Sequence, residues 1–434
     1  MGRQPFGLAS PAAWLRNAGV DVRCLDLSRE PFRAELLEGH LDFVGFHLPM
    51  HTATRLALPV IRRVRSLSPE SRLCCYGLYA PLNAAMLRRL GVTEIFGGEF
   101  EAELVRVVTG DDRSPDHVSD VIPRLDFQVP DRTSLPPPQR YASLQQGAQR
   151  RVVGYTEASR GCKHRCRHCP VVPVYNGQFR IVPVEVVLAD IRQQVDLGAE
   201  HITFGDPDFF NGIGHATAVM DAVARSFPGL TYDATIKIEH LLKHRARLAL
   251  LRSTGCIFVT SAVESFDDRV LLALEKGHTA TDVDDAVDAC RKGGVTLVPT
   301  FVPFTPWTTL DTYRQFLHSV ARLGLVDHLA PIQLALRLLV PRESRLLELF
   351  DVGWELEPFD NERLVYPWHH QDARVDQLGV DVATEVGRQL NTPRREVFGQ
   401  VWEIAHASAD ETPPVPSWPV SRTEVPYLNE PWYC

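Results

Sequence analysis

The sequence predicts an α/β protein: a doubly wound, Rossmann-like domain over residues 1–108, followed by an open, partial (β/α)6 barrel. Three observations carry that expectation. Within residues 1–108, short apolar runs alternate with helical patterns, the signature of a parallel sheet covered by helices. From residue 151 a strand-plus-helix unit of roughly 30 residues recurs six times, too few for a closed eight-unit barrel. Between them, residues 109–150 are polar and dense in proline, as in DFQVPDRTSLPPPQRY, and read as an interdomain linker. The barrel is expected to occupy residues 151–340, with a C-terminal extension and tail over 341–434.

Composition narrows the function. At 434 residues, 44% hydrophobic and 23% charged, the chain has ordinary globular make-up. Its net charge of −8 argues against a general nucleic-acid binder, and the basic run Arg62, Arg63, Arg65 reads as one solvated helix face. No apolar stretch approaches the ~18 residues of a membrane span. The opening MGRQPFGLAS lacks the layout of a signal peptide and has Phe6 where myristoylation needs Ser or Thr. Nine cysteines in so long a chain do not make a disulfide framework, so a reducing cytoplasm is the expected setting.

In the first domain, Pro11–Asn17 reads as an amphipathic helix ending near Gly19. Val20–Leu27 alternates as a strand. Leu41–Leu48, Arg72–Tyr79 and Thr93–Gly97 are further strands. Gly2–Phe6 reads as a loop, so the chain starts after the first strand expected of such a sheet. Ligands of doubly wound sheets bind at the carboxyl ends of the strands. Cys74 and Cys75 are expected to be strand packing.

In the barrel the expected strands are Val152–Ala158, His201–Phe204, Tyr232–Ile238, Ile257–Val263, Leu297–Val302 and Ala330–Leu338. The expected helices are Val184–Leu197, Ala216–Ser226, Glu239–Ser253, Thr281–Arg291 and Thr309–Leu323, with later ones at Val382–Leu390 and Arg394–His406. The tail Glu411–Cys434 is proline-rich and expected to be poorly ordered.

The chemistry concentrates at SRGCKHRCRHCP, residues 159–170, where Cys162, Cys166 and Cys169 stand in C-x3-C-x2-C spacing. Thiolates this close serve a metal or a redox task more often than packing. An iron–sulfur cube takes four ligands; three leave one iron open to a small molecule. The alternatives are a Cys3His zinc site completed by His164 or His168, or three unrelated thiols. Lys163, Arg165 and Arg167 add positive charge that favours thiolate. Pro170 and Pro173 hold the exit extended.

This spacing resembles the signature of the radical S-adenosylmethionine (SAM) superfamily. The resemblance implies that the three cysteines hold a [4Fe-4S] cluster and that SAM chelates the open iron. One electron would then cleave SAM to methionine and a 5′-deoxyadenosyl radical. It further implies that His168 stands where an aromatic residue helps seat adenine, and that Gly205 and Asp206, with Asp208 as helper, replace the segment meeting the SAM ammonium. Ala262-Val263-Glu264-Ser265 resembles the family's G-x-E-S segment, which implies that Glu264 lies near the SAM ribose and carboxylate. Lys237 is a SAM or substrate contact, or else a strand-end lysine reaching solvent. Lys276-Gly277-His278-Thr279 resembles a helix-capping turn of related proteins, with Thr279 the cap. The Thr305-Pro306-Trp307 loop could close over substrate, and Gln333 and Arg337 share one inward face.

The first domain resembles the cobalamin-binding-like domain of many radical SAM proteins, but the D-x-H-x-x-G loop is absent; His47 and His51 lack that context. Cobalamin is therefore a possible cofactor that this chain is expected not to retain tightly. Over most of its length the chain resembles the radical SAM family named for a CUAEP or CCAEP tail, without that tail; it ends in EPWYC, and Cys434 is expected to be incidental. The expected partners are a small-molecule or peptide substrate and an electron donor such as flavodoxin or ferredoxin, with no nucleic acid and no membrane. Cobalamin-dependent methyl transfer, aminocarboxypropyl transfer, and a non-catalytic iron–sulfur sensor are the alternative functions.

Overall fold

The computed structural model describes residues 2–37, 41–110, 122–349, 355–389, 392–409, 418 and 424–429. Cys434 and most of the tail lie outside the described residues.

The first domain holds a three-stranded parallel sheet, β1 (Phe43–His47), β2 (Arg72–Tyr76) and β3 (Glu94–Phe96), in that spatial order. The helix His51–Leu67 buries Thr54, Leu58, Ile61 and Val64, a three-to-four-residue spacing that makes one apolar stripe against the sheet. The first helix begins earlier than its pattern suggested, at Phe6, and runs to Asn17 with Pro11 inside. Proline cannot donate to the carbonyl four residues back. That carbonyl, on Gly7, instead accepts from the Tyr76 hydroxyl at 3.0 Å, which locks the helix onto β2.

The expected strand Val20–Leu27 does not form; these residues are irregular apart from a turn at their end. A strand requires a ladder partner, and among the described residues no strand lies on the outer side of β1 to supply one.

The second sheet has the order β11-β10-β9-β8-β5-β4-β12. Its parallel part is β5 (Gln149–Thr156), β8 (His201–Phe204), β9 (Thr231–Thr235), β10 (Cys256–Glu264) and β11 (Thr296–Phe301). A hairpin strand, β4 (Ser143–Gln146), pairs antiparallel with β5, and β12 (Tyr427–Leu428) pairs antiparallel with β4, ordering part of a tail expected to be loose. A two-stranded ribbon, β6 (Ser159–Gly161) and β7 (Phe179–Ile181), flanks the cysteine loop. The expected sixth barrel strand is reduced to one bridge, Phe304 to Arg337, because Pro331–Leu334 winds into a 3-10 turn. The expected helix Glu239–Ser253 is broken into Ile238–Lys243, a 3-10 turn and Leu248–Ser253. The helix expected at Val382–Leu390 spans Ala373–Arg388, capped by Asp372, whose side chain accepts from the Arg374 amide at 3.0 Å.

The linker is fixed at one residue. Arg132 is buried and binds Asp190 twice, Nε to Oδ1 at 2.6 Å and an η nitrogen to Oδ2 at 2.8 Å. It also donates to Gln4 at 2.5 Å and to the Tyr155 carbonyl at 2.7 Å. One guanidinium thus joins the N-terminus, the linker, β5 and the helix Val184–Asp196.

Candidate functional site

The cysteine loop leaves β6 at Gly161. That residue has φ +74° and no room for a side chain: a Cβ there would stand 2.3 Å from the Tyr175 ring. The loop then turns tightly, with the Cys169 amide bonded to the Cys166 carbonyl at 3.1 Å. Cys162 and Cys166 are buried, and all three cysteines are free thiols. Burial pushes the Cys162 thiol above its usual range, and burial likewise pushes Cys169 up to about 12. A metal centre here must therefore displace protons as it binds.

One zinc ion with bonds of ~2.3 Å would hold its sulfurs about 3.8 Å apart. Among the described residues, only His164, Asp208 and His240 form a donor set with all ligand atoms within 4.8 Å of one another. The three thiols do not meet that spacing as a set.

The basic residues of the loop do not serve the thiols as expected. Arg167 pairs with Glu275 at 2.7 Å and Glu348 at 3.3 Å, and Lys163 reaches the Asn211 carbonyl at 3.4 Å. Positive charge near the sulfurs comes instead from two buried lysines. Lys237 Nζ is 3.7 Å from Cys166 Sγ. Lys276 is held protonated, against its own desolvation, by Glu264 first and by Cys166 next. Lys276 belongs to the turn read as purely structural. Its capping role also holds: Thr279 and Asp282 form a capping box on the helix Ala280–Gly293.

Glu264 ends β10 with φ +71°, a left-handed conformation that costs about 1–3 kcal/mol for a residue with a side chain. Its Oε1 accepts from Lys276 Nζ at 3.2 Å and lies 3.1 Å from His168 Nε2. Burial opposes its charge, but Lys276 and then His168 override that and hold the carboxyl at about 2. So His168 and Glu264 are brought together beside Cys169.

Asp206 is buried and faces the chain rather than a cleft: its oxygens accept from the Ala158 amide at 2.9 Å and the Ser159 hydroxyl at 2.5 Å. Burial raises its carboxyl to about 6. Gly205 packs so close to Tyr155 that a Cβ would stand 1.8 Å from the hydroxyl. Asp208 caps the turn Phe209–Gly212, and its Oδ1 also faces the Lys237 amide at 3.4 Å. Asn211, in that turn, lies 3.8 Å from Cys162 Sγ and 3.3 Å from the Lys163 amide.

Two further expectations are adjusted and one holds. The Thr305-Pro306-Trp307 loop is a tight turn fixed by the Thr308 hydroxyl, which donates to the Pro303 carbonyl at 2.8 Å. Gln333 does face inward and accepts from the Phe301 amide at 2.8 Å. Arg337 turns the other way, bonding Asp376 at 2.8 Å and stacking on Trp368 at 3.5 Å.

Arg160, whose role the sequence did not signal, joins the cysteine loop to the first domain. It is buried and pairs with Glu101 at 2.8 Å, Glu157 at 2.9 Å and Glu99 at 3.3 Å. Tyr175 donates to Glu99 at 2.9 Å, and Ser10 to Glu101 at 2.6 Å. Three carboxylates around one guanidinium leave excess negative charge. Burial first, then the charges of Asp206 and Glu101, raise Glu157 to about 7 against the pull of Arg160.

At the carboxyl end of β1, His47 stacks on Tyr76 with ring centroids 5.3 Å apart. The first helix packs against it so tightly that a Cβ on Gly7 would lie 2.1 Å from the His47 ring. Its pKa is lowered to about 4 by burial. His51 bonds the Arg363 carbonyl at 2.6 Å. Neither histidine is presented as a cobalt ligand.

Residues 156–318 match the radical SAM superfamily. The hopanoid C-3 methylase of Methylococcus capsulatus is 23% identical over 345 residues, 74% of this chain; the chain spans 65% of that relative's length. Among solved structures, the radical SAM methyltransferase TsrM from Kitasatospora setae superimposes with a TM-score of 0.62 at 18% identity, covering 84% of this chain and 78% of TsrM. The cobalamin-dependent SAM radical enzyme OxsB superimposes with a TM-score of 0.69 at 13% identity, covering 94% of this chain and 71% of OxsB. No helix among the described residues is long and apolar enough to cross a membrane. With three cysteines on the loop after the first parallel strand and a paired carboxylate at the end of β10, residues 156–318 form a radical SAM domain, and the chain as a whole shares the fold of TsrM and OxsB.

Proposed function

We propose that this protein is a cytoplasmic radical SAM enzyme acting on a small-molecule or peptide substrate, with reducing equivalents from a flavodoxin or ferredoxin. The observation that carries the reading is the convergence of Cys162, Cys166 and Cys169 with Glu264, His168, Lys237 and Lys276 on one end of the parallel sheet. The thiols would hold a [4Fe-4S] cluster; when bound, it supplies the electron that cleaves SAM reductively. The residues of the chain do the rest. Glu264, fixed as a carboxylate, is a rigid acceptor for hydroxyl or ammonium groups of SAM. His168 offers a ring already oriented by Glu264. Lys237 and Lys276 offset the negative charge of the thiolates. Asp206 shapes the site indirectly, by holding Ala158 and Ser159 where the loop begins. A sensor would have no use for this strand-end set, which favours an enzyme.

The test is anaerobic reconstitution with SAM and a reductant, followed by mass analysis of the nucleoside. 5′-Deoxyadenosine supports hydrogen abstraction. Methylthioadenosine indicates aminocarboxypropyl transfer. No cleavage at all, with a full cluster, favours the sensor.

A second reading, methyl transfer, is supported by the likeness in fold to TsrM and OxsB and by the hopanoid C-3 methylase relative. It predicts S-adenosylhomocysteine in the same assay. The first domain supplies the sheet for a corrin but, among the described residues, presents no histidine to ligate cobalt, so no step is assigned to cobalamin.

A further inference from the structure

We infer that His164, Asp208 and His240 bind one divalent transition ion, with zinc the best match, and that this ion pins the cysteine loop to the strand ends of the barrel. The ligand atoms of the three residues lie within 4.8 Å of one another. Each comes from a different part of the fold: His164 from the cysteine loop, Asp208 from the turn after β8, His240 from the helix after β9.

The independent sign of a ligand is a buried contact between two side chains. Asp208 and His240 are fully buried. Asp208 Oδ2 and His240 Nδ1 face each other at 2.6 Å, but not in the alignment of a hydrogen bond. Buried polar atoms are almost always hydrogen-bonded, so a misaligned pair here is open to a ligand that both can bind. The other Asp208 oxygen faces the Phe210 and Lys237 amides, at 3.3 and 3.4 Å, which orients Oδ2 toward the histidines. His164 Nε2 completes the set, 3.7 Å from Oδ2 and 3.4 Å from His240 Nε2. A dication here would take one atom from each residue, a single ring nitrogen of His240 among them.

The chemistry of the donors agrees. Two imidazoles and one carboxylate form a familiar zinc set, with bonds of about 2.0–2.2 Å. Glu239, part-exposed at the rim with Oε2 3.6 Å from His164 Nδ1, provides a second negative charge and a way in. The site contains no sulfur.

The test uses the full chain with its iron–sulfur centre reconstituted, dialysed against buffered free Zn²⁺, desalted, and analysed for zinc, iron and sulfide. Wild type should carry about one zinc beyond its iron and sulfide, bound through nitrogen and oxygen only by zinc X-ray absorption. His240→Gln and His164→Gln should each weaken zinc binding at least tenfold with iron and sulfide unchanged. If the buried His240→Gln variant does not fold, the partly exposed His164→Gln variant decides alone. Absence of zinc from wild type, sulfur in the zinc shell, or undiminished zinc in the folded variants would overturn the inference.

Discussion

Replacing Arg132 by Leu tests whether one linker residue holds the domains in place. Arg132 and Asp190 have side chains only 1% exposed each. Leucine removes the cation but leaves Asp190 buried, with only Thr156 Oγ1 at 2.7 Å and Gln194 Nε2 at 3.4 Å as partners. Breaking a buried ion pair from one side costs about 3–5 kcal/mol. At ~1.4 kcal/mol per tenfold, opening around the linker should become roughly 100- to 4,000-fold more frequent. Native-state proteolysis reads this directly: when reclosing outpaces cleavage, the rate follows the open population. Cleavage within residues 109–150 should accelerate by that factor in Arg132→Leu. The double variant Arg132→Leu/Asp190→Leu should recover most of the loss, because an apolar pair replaces a buried ion pair at little net cost. A single variant within about threefold of wild type, or a double variant worse than the single, would refute the reasoning.

Further outcomes are expected. Cys162→Ala, Cys166→Ala and Cys169→Ala should each abolish the centre, which in wild type should hold about four irons and four sulfides; zinc at the thiols without sulfide would contradict this. Glu264→Gln should weaken SAM binding about tenfold or more while leaving iron content intact, measured by equilibrium dialysis with labelled SAM. Glu264 is held near 2, below its ordinary 4.5, so its contribution is complete above 4.5 and fades only as pH falls from there through about 2. The wild-type to Glu264→Gln gap in SAM affinity should therefore stay constant from about pH 5.5 to 8; a gap that closes across that window would refute the assignment. Asp206→Ala, unlike Glu264→Gln, should lower iron content as well as SAM binding, because Ala158 and Ser159 lose their anchor. After incubation with excess hydroxocobalamin and desalting, optical spectra should show well under one corrin per chain; near-stoichiometric corrin would raise methyl transfer to the leading reading.

The barrel was legible because its strands are short apolar runs with helical patterns behind them, and those periodicities are set locally. The strand His201–Phe204 falls where its apolar run placed it. The failures share a cause. Val20–Leu27 has the alternation of a strand, but pairing depends on a neighbour that local pattern cannot report. Ala330–Leu338 reads as a strand, yet Pro331 starts a 3-10 turn there. In the site, the three cysteines and Glu264 were visible as motifs. Lys276 was visible only as part of a turn, since its approach to Glu264 depends on β10 ending in a left-handed residue. Arg160, Asn211 and His240 gave no signal, because their partners are remote in sequence and meet only when the loop, the first domain and the strand ends are assembled; His164 was legible only as a fourth ligand to the thiols. Arg132 sits in the proline-rich linker, and its buried pair with Asp190 exists only once the fold brings the two together.

The cysteine loop is gripped from three sides. Arg160 ties its start to Glu99 and Glu101 of the first domain. Asn211 faces Cys162 from the barrel. At its far end Arg167 pairs with Glu275 and Glu348, and Arg345 reaches both Glu275 and the Arg165 carbonyl. A loop held this way makes cofactor insertion and domain docking a single linked equilibrium. Whatever free energy a bound centre gives to the loop, it gives equally to the contacts that clasp it. A nascent chain without iron should therefore be loosely joined at all three seams, and insertion of the centre should be the event that closes the molecule.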